Sequence, residues 1–424
     1  MKMLILCCAL VVIALASMTW AIFATNNQKI TIADNQTPLP ADTVAAADFQ
    51  QNFPYQYDSY LKNTEMDTQE SYAATGGKYG GAYADVSHYE LEPYLPTLFN
   101  GMGFAVEYNE ERGHLYTLED VRAITTERTK AGASCTYCKS ADIPALLEEY
   151  GADFYTSSFD DMYSQMSNAI TCADCHDPVT MELRITRPAL VEAFEAQGKD
   201  IEEATTQEMR TLVCAQCHVE YYFAKDTKVV TFPWAKGEKV EDVYTYYQEI
   251  GFSDFTQADT GASMLKAQHP DYELFLGSTH EVAGVTCADC HMPYTVEGNK
   301  KYSSHWWTSP LKTVETSCLQ CHSESADALV ARVVAIQDSS FEIQDLAANT
   351  LVQTVADISA AVDRGVSDEA LAEARELYRQ AQFYWDWIAA ENSRGFHNSQ
   401  DALNISAKAI DLAHQASAAA LAAE

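Results

Sequence analysis

Five cysteine pairs, each with two residues between them and each followed at once by a nitrogen-bearing side chain, constrain this chain more than anything else in it. They are Cys135-Thr-Tyr-Cys138-Lys139, Cys172-Ala-Asp-Cys175-His176, Cys214-Ala-Gln-Cys217-His218, Cys287-Ala-Asp-Cys290-His291 and Cys318-Leu-Gln-Cys321-His322. Cys-x-x-Cys-His is the attachment signature of c-type haem: two thioethers hold the porphyrin and the histidine ligates iron. Zinc centres and thiol oxidoreductases also use paired cysteines, but neither needs an imidazole or amine at one fixed place after every pair. Ten of the 12 cysteines fall in these motifs, so five covalently attached haems are expected. Lys139 sets one haem apart from the other four. The two remaining cysteines, Cys7 and Cys8, lie in an N-terminal apolar run and are assigned no role.

Histidine supply matches this demand. Of 11 histidines four end the motifs, leaving His88, His114, His269, His280, His305, His397 and His414. Four low-spin electron-transfer haems each require a second axial histidine, which uses four of these seven.

Residues Leu4 to Ala24 form a nearly unbroken apolar run after Lys2, long enough for either a secretory signal peptide or an uncleaved membrane anchor. Either places the rest of the chain outside the cytoplasm, where haem is attached covalently in bacteria. Formal net charge is −34, which excludes nucleic acid as a partner because phosphates are repelled. An anionic substrate would need positive charge concentrated at its site.

Four segments are expected: the signal or anchor at 1–24, a polar linker at 25–52, a haem-bearing catalytic region at 53–325, and a long-helix region at 326–424. The gaps between motifs follow no fixed period, which argues against a solenoid. The haem-bearing region, rich in Tyr, Gly and Pro, reads as short helices and loops packed around haems. Beyond Ser325, Ala326–Val362, Asp368–Asn392 and Asp401–Ala423 carry the apolar spacing of helices, with a start at Ser367-Asp368-Glu369 and a stop at Arg394-Gly395. Phe383, Tyr384, Trp385 and Trp387 imply a buried face, in the core or at a subunit interface. His397 follows the stop, where a loop could carry a haem ligand. The fold class expected is mainly α with little strand.

Five haem motifs with Lys in the first resemble the pentahaem cytochrome c nitrite reductases, the ammonia-forming family. Arg112-Gly113-His114, Cys217-His218-Val219-Glu220-Tyr221-Tyr222-Phe223, Phe232-Pro233-Trp234 and Met264-Leu265-Lys266-Ala267-Gln268-His269-Pro270 carry the same resemblance, which spans about residues 90 to 400. It implies that Lys139 ligates the active-site iron as a neutral amine, with Tyr221, His269 and an arginine lining the open face. Arg128 is the expected arginine and Arg122 the alternative. It implies one calcium ion held by Glu220, Gln268 and the carbonyls of Tyr221 and Lys266, an all-oxygen set suited to that cation. It also implies His305 as second ligand for the haem of the second motif, His114 for the third, His397 for the fourth and His280 for the fifth, leaving His88 and His414 as surface residues. The family's homodimer, built on long C-terminal helices, and its donor, a membrane quinol-oxidising cytochrome or a small soluble one, complete what it implies.

Two other function classes stand beside this one at the level of sequence. A pure electron-transfer cytochrome would carry a sixth ligand on every haem, and His269 could supply the one facing Lys139. A reductase acting mainly on hydroxylamine, sulfite or tetrathionate is the other, although relatives of that kind generally carry more haems.

Overall fold

Alanine-rich periodicity in the C-terminal quarter becomes three helices, Ala326–Asp363, Ala372–Ala389 and Ser399–Ala422, in the computed structural model. The Ser325 hydroxyl caps the first by accepting the Ala328 N–H at 3.3 Å. Small side chains let the first and third helices approach closely. Ala347, Ala348 and Ala361 on one and Ala402, Ala409, Ala413 and Ala416 on the other are fully buried, and Thr354 Oγ1 donates to the Ala413 carbonyl at 3.0 Å. The middle helix is shorter than its expected 368–392. Ser367 does accept the Ala370 N–H at 3.2 Å, but residues 368–371 form only a turn before continuous helix begins at Ala372. Its aromatic run faces the chain's own core: Phe383, Tyr384, Trp385 and Trp387 are all buried, and Trp385 meets Tyr94 edge-on at 5.6 Å.

The structure describes residues 37–83, 86–103, 109, 112–124 and 130–424. Leu4 to Ala24, Cys7, Cys8 and Arg128 lie outside the described residues. Upstream of the long helices the chain forms short α and 3₁₀ segments joined by loops. Strand is confined, among the described residues, to antiparallel pairs: Tyr222–Phe223 with Val230–Thr231, Phe255–Thr256 with Ser263–Met264, and Tyr294–Glu297 with Lys300–Ser303. The fold is therefore mainly α. No helix among the described residues is long and apolar enough to cross a membrane.

Two boundaries drawn from sequence need correction. Met1–Leu39 and Pro40–Glu424 separate as two units, and only residues 37–39 of the first are described. The expected linker at 25–52 is packed over its second half: Thr43, Ala46 and Phe49 are buried, and Thr171 Oγ1 donates to the Val44 carbonyl at 2.7 Å. A polar composition hid a segment that three inward side chains anchor. Nor is residue 325 a break in packing, because one hydrophobic core runs from Tyr94 through the 372–389 helix to Ala420. A small satellite core of Leu311, Val314 and Leu329 lies under the fifth motif, touching Cys318.

Candidate haem-binding and active site

Each motif closes in a single tight turn. The N–H groups of His176, His218 and His322 donate to the carbonyls of Cys172, Cys214 and Cys318 at 2.9, 3.0 and 2.9 Å, which turns the imidazole to the side of the paired sulphurs. In the second and fourth motifs the residue before the second cysteine is Asp, and there it reaches back. Asp174 accepts the Thr171 N–H and Asp289 the Thr286 N–H, both at 2.8 Å, forming capping boxes that start the turn. None of the ten motif cysteines forms a disulfide. Thiols of different motifs are near enough to influence one another: Cys138 with Cys217 and Cys214 with Cys287. Ser317, beside the fifth motif, donates to the Cys290 carbonyl of the fourth at 3.0 Å.

Histidines far apart in sequence come together in pairs. Ring centres are 6.3 Å apart for His176 and His305, 5.9 Å for His218 and His114, 6.4 Å for His291 and His397, and 6.2 Å for His322 and His280. A metal–imidazole bond is about 2 Å and the ring centre lies about 1 Å behind the nitrogen, so two imidazoles on opposite faces of one ion have centres about 6 Å apart. The pairs fit that requirement. Several rings are also oriented through Nδ1, leaving Nε2 for metal. His176 Nδ1 faces the Met181 carbonyl at 2.9 Å, His291 the Thr308 carbonyl at 3.1 Å and His305 the Ser303 carbonyl at 2.9 Å. Burial above all pulls His291 and His305 down to about 4 and His114 to about 3, whereas the carboxylates of Asp271 and Glu391 outweigh burial and raise His218, and His397 to about 9.

Gly113 has φ of 112°, a left-handed conformation that turns the chain into the short 3₁₀ segment carrying His114. The next residue but two, Thr117, donates its hydroxyl to the Lys139 carbonyl at 2.7 Å, tying the histidine that faces the third motif to the lysine of the first. Arg187 grips the same stretch from the other side. With a side chain only 1% exposed, it donates to the Tyr137 carbonyl at 2.9 Å and the Ser140 carbonyl at 2.8 Å, and pairs with Asp174 at 2.7 Å. Gln216 of the third motif accepts the Arg187 N–H at 3.0 Å. Arg187 thus joins three attachment motifs, the first and second through its guanidinium and the third through its backbone N–H. The sequence reading passed over Arg187 because nothing local distinguishes it from a surface arginine.

His269 lies within electrostatic reach of Lys139. Burial, then the lysine charge, lowers it to about 3, and its enclosed Nδ1 has no hydrogen-bond partner among the described residues. Its ring centre is also 6.4 Å from His218, but the largest charge effect on it comes from Lys139, whereas that on His114 comes from His218. The segment bearing His269 is held by the 372–389 helix: Asp386 pairs with the Lys266 amine at 3.0 Å and accepts the Ala267 N–H at 2.7 Å. With its amine engaged there, Lys266 turns its carbonyl toward Gln268, whose amide lies 3.1 Å away. Glu220 is fully buried and accepts the Gln268 N–H at 2.6 Å and the Tyr247 hydroxyl at 2.8 Å. Its own N–H donates to Glu273 at 2.8 Å, and Glu273 is fixed by the Trp234 indole at 2.8 Å, which gives the Phe232-Pro233-Trp234 stretch its place. Tyr221, half-buried beside Phe223, follows Glu220 directly.

This arrangement can hold a hard cation. Burial pushes the Glu220 carboxyl well above the usual range, so an ion bound there removes a large desolvation penalty. A half-turn of the Gln268 amide would present its oxygen beside the Lys266 carbonyl.

Two expected residues fall elsewhere. Arg122 pairs with exposed Asp160 and lies over Tyr163 at 5.3 Å, on the surface, so the structure offers it no active-site role. His88 is not a plain surface residue: it is half-buried, 3.7 Å from Glu92, which also pairs with Arg394 at 3.1 Å. His414 is exposed, as expected.

The family model for cytochrome c552 matches residues 45–423. A cytochrome c-552 of Bacteroides fragilis is 42% identical over 376 residues, covering 87% of this chain and 75% of the relative. The cytochrome c nitrite reductase subunit NrfA of Nitratidesulfovibrio vulgaris is 39% identical over 422 residues, covering 90% and 80%. The solved cytochrome c nitrite reductase of Desulfovibrio desulfuricans, described with two calcium sites in its catalytic subunit, superposes with a TM-score of 0.83 at 34% identity over 91% of this chain and 88% of that one. With haem-c motifs, paired histidines and a lysine in the first motif, the chain belongs to the pentahaem cytochrome c nitrite reductase family and is an oxidoreductase of that kind.

Proposed function

We propose that this protein reduces nitrite to ammonium, a six-electron reaction, at the haem attached through Cys135 and Cys138 and ligated by Lys139. The observation that carries the reading is the asymmetry among the motifs: four end in a histidine that faces a second histidine about 6 Å away, while the first ends in Lys139, which acts electrostatically on His269.

Five haems c and one calcium ion complete the reading, with Glu220, Gln268 and the Tyr221 and Lys266 carbonyls as calcium ligands. His305, His114, His397 and His280 would hold the haems of the second to fifth motifs opposite the motif histidines. Haem iron supplies the electrons and the binding position for nitrogen. The chain supplies the rest. His269 can donate a hydrogen bond through its ring N–H when negative charge grows on nitrite oxygen. Arg128 supplies the permanent positive charge that an anion needs inside a protein of charge −34. Tyr221 donates through its hydroxyl, and calcium, bound one residue before each of Tyr221 and His269, fixes both side chains and adds positive potential.

The nearness of the first and third motifs, and of the third and fourth, supports an electron path along those haems. The donor is a membrane quinol-oxidising cytochrome or a small soluble one, the protein works outside the cytoplasm, and it pairs as a homodimer through its long C-terminal helices.

The test is ammonium production from nitrite by purified holoprotein with reduced methyl viologen as donor. Ammonium formed in proportion to nitrite consumed, and lost on calcium chelation, is expected. Lys139→His should retain haem and lose most turnover. A full haem complement with no ammonium from the native protein rejects the assignment.

A further inference from the structure

Asp271 sits two residues after His269, 7% exposed, and its two oxygens face imidazoles of different motifs. Oδ2 accepts from His218 Nδ1 at 3.1 Å, while Oδ1 lies 3.7 Å from His397 Nδ1. Asn392 holds the carboxylate between them, its backbone N–H donating to Oδ1 at 2.7 Å and its side-chain amide to Oδ2 at 2.9 Å. His397 has a carboxylate of its own as well: Glu391 Oε2 lies 3.3 Å from Nδ1 and is fixed by the Ser393 N–H at 2.9 Å and hydroxyl at 2.7 Å.

An acceptor at Nδ1 of an axial histidine raises the electron density that the ring gives to iron, and a buried negative charge there favours the more positive, oxidised haem. Both effects lower the reduction potential. His218 belongs to the third motif and His397 faces His291 of the fourth, so one carboxylate reaches two haems, the third-motif one through a hydrogen bond and the fourth-motif one, across 3.7 Å, through its charge alone. We propose that Asp271 is a shared tuning residue that lowers the potentials of the third- and fourth-motif haems together, while Glu391 acts on the fourth alone. This inference rests on His218 and His397 being axial ligands. Asp271 is a positioning residue in the sense that it acts through these imidazoles. Its backbone N–H also donates to the His269 carbonyl at 2.7 Å, so the residue that sets two potentials is braced against the segment carrying the proposed hydrogen-bond donor.

The experiment is a potentiometric titration of the holoprotein, following each low-spin ferric signal by electron paramagnetic resonance. Four such signals in the native protein establish the axial ligation independently of the inference, and fewer than four would break the ligation itself. Asp271→Asn keeps shape and removes charge: two midpoints should rise by up to a tenfold change in the oxidised-to-reduced ratio, about 59 mV for a one-electron couple. Glu391→Gln should raise one of those same two. Asn392→Ala frees the Oδ2 lone pair that the side-chain amide uses, strengthens the bond from His218 and should lower one midpoint. The sign of that last shift tests the His218 half of the proposal even if Asp271→Asn fails to hold its haems. Four intact signals with a single moved midpoint in Asp271→Asn, or an unmoved or raised one in Asn392→Ala, overturns the proposal.

Discussion

Two arginines separate what a residue can say for itself from what only its surroundings reveal. Arg122 and Arg128 look alike in sequence, a short distance before the Lys139 motif. The structure puts Arg122 in an exposed pair with Asp160, an interaction worth about 0–1 kcal/mol. Arg122→Ala should therefore leave nitrite turnover and stability nearly unchanged, while Arg128→Ala should mainly weaken nitrite use. Steady-state kinetics of the two variants checks this, and a dead Arg122→Ala beside a normal Arg128→Ala would move the role. Arg187 is the opposite case, silent in sequence and central in the fold. Replacing it by Met leaves Asp174 buried without its cation and removes the donors to the Tyr137 and Ser140 carbonyls on either side of Cys138 and Lys139. A loss of about 3–5 kcal/mol is expected, the range for breaking one side of a buried pair. Denaturant unfolding of the holoprotein measures it, and a loss below about 1 kcal/mol would show that the network is dispensable. Motif residues were legible because attachment chemistry is written in adjacent positions. Arg187, Asp271 and Glu273 were not, since their partners lie tens of residues away and a buried charge has the same letter as a solvated one.

At the scale of elements, the long helices were readable to within a few residues at their ends, because alanine and leucine repeat at helical spacing over many turns. The start of the middle helix was misplaced because Ser367 caps a turn that does not continue unbroken into helix. The loop after that helix, residues 390–398, carries His397, and its hold on the rest of the fold shows only in three dimensions. Arg394 in this loop pairs with Glu92 at 3.1 Å, far upstream in the chain. Burial alone would raise the Glu92 carboxyl, but His88, 3.7 Å away, and the Arg394 charge outweigh it and hold the group below its ordinary 4.5. A depressed carboxyl contributes stability that is complete above about 4.5 and disappears as pH falls through the lower folded value. Thermal melting from pH 6 down to about 3 should show Glu92→Gln less stable than the native protein at the upper end, with the gap closing on acidification. A gap that stays constant with pH would mean that Glu92 acts by shape and not by charge.

Over the whole molecule, composition gave the class and the exclusion of nucleic acid, but it could not reveal that one core joins the haem-bearing segments to the C-terminal helices. That core depends on pairings such as Tyr94 with Trp385, about 290 residues apart, for which no local pattern exists. The same view ranks the attachment sites by what rests on them. The third motif stands at the centre: Cys217 and Cys138 influence one another, as do Cys214 and Cys287, and Gln216 is tied to Arg187. The fifth stands at the edge, with Cys321 exposed and only the satellite core of Leu311, Val314 and Leu329 beneath it. Replacing Cys318 and Cys321 together by Ser should yield a folded protein short of one haem, with a modest fall in melting temperature. The same change at Cys214 and Cys217 removes packing shared by three motifs and should leave a chain that neither folds nor keeps its other haems. Haem content per chain and the cooperativity of far-ultraviolet circular dichroism melts distinguish the outcomes. Equal damage from both double variants would mean that the haems stabilise the fold as a single unit and that the satellite core is no boundary.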